Sequence, residues 1–143
     1  MYDDILVPTD GSDTVSETLS HALPIAANNG ATVHGLYVVD SRITTAATDD
    51  AKADLEESLE SDGTTAIEEI ELAAHERDLD VVSSLVRGTP SKAILEYAGE
   101  RDIDLIVIGT HGKSPREKIV SLGSVSERVV DNASIPVLVV RDV

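Results

Sequence analysis

The chain contains no cysteine, so disulfides, thiolate metal sites and cysteine catalysis are all excluded. Phenylalanine and tryptophan are absent as well, and aromatic residues make up 2% of the chain. The core must therefore be built from aliphatic side chains. Basic residues are scarce: 11 Lys plus Arg stand against 27 Asp plus Glu, a formal net charge of −16. That charge repels phosphate backbones and argues against nucleic acid as a partner. No apolar run approaches the ~18 residues that span a bilayer, so no membrane association is expected. The opening Met1-Tyr2-Asp3-Asp4 lacks the basic start of a secretory signal. A cytoplasmic protein is expected.

The acidic residues are spread between strong apolar runs rather than gathered in a tail, which argues against disorder. They fit a folded protein adapted to a salt-rich cytoplasm, where screening reduces self-repulsion. The length of 143 residues suits one domain, taken as residues 1–143.

Five short apolar runs are rich in β-branched residues: Ile5 to Val7, Val33 to Val39, Val81 to Val86, Leu105 to Ile108 and Val137 to Val140. The last two are nearly continuous, as strands covered on both faces are. Helical spacing lies between the runs. Val15, Leu19, Ala22, Leu23 and Ala26 form one stripe, with a kink expected at Pro24 and an end at Gly30. A second helix is expected from about Asp49 to Asp78, broken or bent at Ser61-Asp62-Gly63. Thr89-Pro90 reads as an N-cap followed by proline at the first helical position. Ser124 and Glu127 read as a capping box opening a short last helix, to about Asn132. The resulting order, β-α-β-α-β-α-β-α-β, predicts an α/β fold: a doubly wound, open five-stranded parallel sheet with helices on both faces.

Ligands in such sheets bind beyond the carboxyl ends of the strands, where the strand order reverses. Pro8-Thr9-Asp10-Gly11-Ser12 follows the first strand. Asp10 could hold ribose hydroxyls or a metal, although a lone acid there is more often a turn or helix-capping residue. Gly109-Thr110-His111-Gly112-Lys113-Ser114 follows the fourth strand, and Gly123-Ser124 comes later. Glycines let backbone amides approach a phosphate closely, and a helix opening at Ser124 offers free N–H groups to an anion. Lys113, Arg116 and Lys118 cluster in the same stretch, in a chain otherwise hostile to anions. The plainer reading is a loop whose basic side chains relieve the general negative charge; the coincidence of three features favours phosphate.

Several chemistries are excluded. Gly112-Lys113-Ser114 is not a Walker A loop, because Val107 stands where that motif needs its first glycine. The first strand carries no dinucleotide fingerprint. A phosphoacceptor receiver would need an acceptor Asp after the third strand, where Arg87-Gly88 stands. No serine sits in a nucleophile elbow, and no convincing general base appears, so an enzyme is not expected. Of the four histidines only His111 falls at the candidate site, and a loop role suits it better than catalysis.

Three stretches resemble the universal stress protein family across nearly the whole chain: Ile5 to Ser12, Leu36 to Asp40, and Ile108 through Gly123-Ser124-Val125 to Val140. The resemblance implies a Rossmann-like, adenine-nucleotide-binding fold, usually dimeric, acting in stress survival and regulation with weak activity or none. It implies that Asp10 meets the ribose and the Val38 backbone meets the adenine. Gly109, Gly112, Gly123, Ser124 and Val125 would hold the phosphates, often with a divalent metal. Pro8, Thr9, Ile108, His111 and Lys113 flank these positions and complete the candidate site. The expected cofactor is ATP, with AMP or another adenylate as the variants, accompanied by Mg²⁺ or Mn²⁺. The chain departs from the family's ATP-binding pattern at one point: ten residues, Lys113 to Leu122, separate Gly112 from Gly123, where the pattern has nine.

A homodimer through the last strand, Pro136 to Val140, is expected, because an apolar edge strand invites pairing with a second copy. Two other functions stay open. One is a dimeric interaction module that binds no nucleotide, which the longer spacer favours; the other is a slow metal-dependent ATPase.

Overall fold

The computed structural model describes residues 1–110 and 124–141. The elements are β1 (Asp4–Thr9), α1 (Thr14–Asn29), β2 (Thr32–Asp40), α2 (Ser41–Ala46), α3 (Asp49–His75), β3 (Val81–Gly88), α4 (Pro90–Glu100), β4 (Leu105–Gly109), α5 (Ser124–Asn132) and β5 (Val137–Val140). Five strands form one sheet in the order β3-β2-β1-β4-β5, and every pair is parallel. This is the expected doubly wound sheet.

The strand alternation divides the core into two layers, because successive side chains point to opposite faces. Ile5, Val7, Val33, Leu105 and Val107 pack with α1 and α3 through Leu19, Leu23 and Ile70. Leu6, Leu36, Ile106 and Ile108 pack with α4 and α5 through Ile94, Tyr97 and Val129. The strand residues in both layers are almost wholly buried. Each such aliphatic side chain contributes about 1.5–3 kcal/mol by leaving water, which compensates for the missing aromatics.

Four expectations need correction. First, a short helix, α2, follows β2 directly; six residues are too few to show a period, and Asp40 starts the helix by accepting the Arg42 N–H at 3.0 Å. Second, α3 runs unbroken through Ser61-Asp62-Gly63. Gly63 is there for close approach: a Cβ would lie 2.5 Å from Tyr37 Cδ1 and from Leu85 Cδ1. Tertiary packing has overridden the local helix-breaking signal. Third, Thr89 occupies the N-cap position of α4 but makes no side-chain capping bond. Fourth, β5 is not covered on both faces: it lies at the sheet edge, as expected, but with Leu138 36% exposed. The other helix signals stand nearer expectation. The α1 stripe is buried, the helix continues past Pro24 to Asn29, and Gly30 closes it in the left-handed conformation at φ 63°.

Among the described residues, no helix is long and apolar enough to cross a membrane.

Candidate functional site

A cavity of about 270 Å³ opens at the carboxyl ends of β1, β2 and β4. Since β1 lies between β2 and β4, this is the point where the winding reverses, as the sheet rule requires. Pro8, Thr9, Asp10, Val38, Ile108, Gly109, Ser124 and Val125 all line it. These are all the sequence-chosen site residues within the described part. His111, Gly112, Lys113 and Gly123 lie outside the described residues, as do Arg116, Lys118 and the rest of the spacer.

The loop after β1 is held by its own side chains. Asp10 Oδ1 accepts the Ser12 N–H at 2.9 Å, and Thr9 Oγ1 accepts the Gly11 N–H at 3.1 Å. Asp10 therefore acts as a turn acid, and the same turn sets its carboxylate at the cavity wall. Gly109 ends β4 against α1. A Cβ there would meet Thr18 Oγ1 at 2.9 Å, so a larger residue would have to displace the Thr18 hydroxyl of the crossing helix.

The cavity has two unlike walls. Val38, Ile43, Leu59, Pro90, Ile94 and Ile108 form an apolar wall drawn from β2, α2, α3, α4 and β4. Thr14, Thr18, Thr110, Ser124 and Ser126 bring hydroxyls from α1, the end of β4 and the first turn of α5. Thr110 is 2% exposed, and its Oγ1 has no hydrogen-bond partner among the described residues. A buried hydroxyl left without a partner costs about 1–3 kcal/mol and calls for an explanation.

Three further side chains shape the electrostatics. Asp40 holds Arg42 in a two-pronged pair, Nε to Oδ1 at 2.9 Å and Nη2 to Oδ2 at 2.7 Å. These side-chain bonds hold the Asp40 carboxyl below its ordinary range, against the opposing effect of its partial burial. Tyr37 is 3% exposed; burial, then the nearby Asp62 and Asp10 carboxylates, push its phenol above the ordinary range and keep it neutral. Among the described residues, no group of three or more acids and histidines is arranged to hold a metal ion.

Sequence reasoning missed Arg42, Ile43, Leu59 and Ile94, which reach the cavity from helices rather than from strand ends. Asp40 and Thr110 did carry a signal, since each stands at or just after a strand's carboxyl end.

Fold and cleft together define an all-parallel, doubly wound α/β protein with a half-apolar, half-hydroxyl cleft at its switch point. The universal stress protein family model matches residues 1–141, and the chain belongs to that family. It is 39% identical over 142 residues to universal stress protein MJ0531 of Methanocaldococcus jannaschii, covering 99% of this chain and 83% of the relative. The solved structure of hypothetical protein MJ0577, from the same organism, superimposes with a TM-score of 0.90. The two share 31% identity, with 100% of this chain and 98% of that one covered. A universal stress protein solved in complex with cAMP matches with a TM-score of 0.70 and 25% identity, covering 98% of this chain and 97% of that one.

Proposed function

We propose that the cleft binds an adenine nucleotide and that the protein serves as a nucleotide-responsive stress or regulatory protein with little or no turnover. ATP is the first candidate, with AMP or another adenylate as variants. One observation carries the reading: a single cavity joins an apolar wall to a hydroxyl-rich end at the first turn of α5. An adenine needs the former. Phosphates need the latter, where the positive end of the helix favours negative charge. The Thr110 hydroxyl, which has no hydrogen-bond partner among the described residues, supplies a donor at that end. The cAMP complex of a family member supports an adenylate as the class of ligand.

The residues present fit the nucleotide. The Val38 backbone would meet the base and Asp10 the ribose. Gly109, Ser124 and Val125, with His111, Gly112, Lys113 and Gly123 from the remaining loop, would hold the phosphates. Mg²⁺ or Mn²⁺ would arrive on the phosphates and offset their charge beside Asp10.

Calorimetric titration of ATP with Mg²⁺ into the protein in concentrated KCl tests this. One site per chain is expected. At a hundredfold excess over Kd, binding should stabilise the fold by about 2.7 kcal/mol. No heat and no thermal stabilisation at millimolar ATP would overturn the reading in favour of an interaction module.

The β5 edge, with Leu138 36% exposed, supports a homodimer through Pro136 to Val140. Sedimentation at micromolar concentration in high salt should give a dimer, and Leu138→Asp should give a monomer; a wild-type monomer rejects the pairing.

A further inference from the structure

We propose that Arg42 is the base-selecting residue of the cleft, laying the flat face of its guanidinium, oriented by Asp40, against the base of the bound adenylate. The inference rests on the adenylate reading above and goes beyond it by assigning the recognition of the base to a residue outside the strand-end loops.

Arg42 is the only lysine or arginine among the described residues that line the cavity. Its placement argues for the base rather than the phosphates. Asp40 ends β2, whereas Gly109 ends β4, and β1 stands between them. Two interstrand spacings amount to about 10 Å, which is on the scale separating a purine from its phosphates.

The chemistry of the pair agrees. Asp40 takes Nε and Nη2 of the guanidinium and also the Arg42 backbone N–H, so one carboxylate fixes both the backbone and the plane of the side chain. The positive charge is largely offset by the partner carboxylate, and one edge of the fork is occupied. That makes a poor phosphate ligand, which needs the charge and the fork. What remains available is the planar face, which stacks on aromatic rings.

The surroundings complete the slot. Ile43, the next residue, is 47% exposed and lines the same cavity, beside Leu59 and Pro90. A base lying there would cover the exposed Ile43 from one side and meet the guanidinium from another.

The test uses ATP and CTP, which share ribose and triphosphate and differ only in the base. Each is titrated with Mg²⁺ into wild type, Arg42→Ala and Arg42→Lys. Wild type is expected to prefer ATP. Arg42→Ala should weaken ATP about tenfold and narrow the preference over CTP. Arg42→Lys should not restore it, because an ammonium has charge but no flat face. Equal weakening of ATP and CTP in Arg42→Ala, restoration by Arg42→Lys, or unchanged ATP affinity in Arg42→Ala would each overturn the proposal. Wild-type protein that binds no adenylate removes the functional reading and this proposal together. Wild type that binds ATP and CTP equally removes this proposal alone.

Discussion

The two ends of the sheet treat their polar groups in opposite ways. At the amino ends of the strands, polar side chains close on one another. His34 is 5% exposed, yet both ring nitrogens are used: Nε2 bonds to Asp4 Oδ1 and Nδ1 to the Tyr97 hydroxyl, each at 2.8 Å. A carboxylate can only accept, so Nε2 donates to Asp4, while Nδ1 pairs with the Tyr97 hydroxyl. Asp104 gathers the Asp3 and Asp4 N–H groups at 2.8 and 3.0 Å, which ties the start of β1 to the approach to β4. Arg101 lies 5.4 Å over the Tyr97 ring. At the carboxyl ends the groups instead face a cavity, and the Thr110 hydroxyl is buried with no partner among the described residues. One end is satisfied internally and gives stability; the other leaves the Thr110 hydroxyl facing the cavity region without a partner among the described residues.

The difference can be broken from the closed end. Tyr97→Phe keeps the ring but removes the hydroxyl, leaving His34 Nδ1 buried without its partner. The expected cost is about 2 kcal/mol, read as a lower denaturant midpoint with an unchanged slope. Since α4 also supplies Pro90 and Ile94 to the cavity, the variant asks whether the two ends are independent. ATP affinity should not change. A loss of affinity parallel to the loss of stability would mean that the closed end positions the cleft.

Much of this was legible in the sequence, for physical reasons that differ between the two ends. The β-branched runs Leu105 to Ile108 and Val33 to Val39 declare strands because their composition suits a surface buried on both faces. Once the alternation with helices is seen, the strand-end rule directs attention to Asp10, Gly109 and Ser124 without any knowledge of their contacts. The helical part of the apolar wall was not legible. Ile43 and Leu59 become neighbours only when α2 and α3 fold over β2, and nothing local marks them. Gly63 misled because a helix-weakening residue looks like a break in sequence, whereas in space it admits the Tyr37 ring. The amino-end network was hidden too: His34 and Tyr97 are 63 residues apart, and only the fold brings them together.

Thr110→Val sharpens the comparison from the open end, with a smaller expected effect. Thr110 and valine are nearly the same shape, so the change removes a hydroxyl without creating a cavity. A satisfied buried hydroxyl would be missed. An orphaned one should not be, because its desolvation cost disappears with it. The free protein should therefore become more stable, by about 1 kcal/mol, while ATP binding weakens, because the ligand loses a donor that was already desolvated and aligned. Opposite signs in the two measurements are the signature of a group kept for a ligand at the expense of the fold. The readouts are a denaturant midpoint without nucleotide and an ATP titration on the same sample. If stability falls along with binding, Thr110 has a structural partner in the folded protein. The open end would then be closed like the other, and the asymmetry between the two ends of the sheet would no longer locate the binding site.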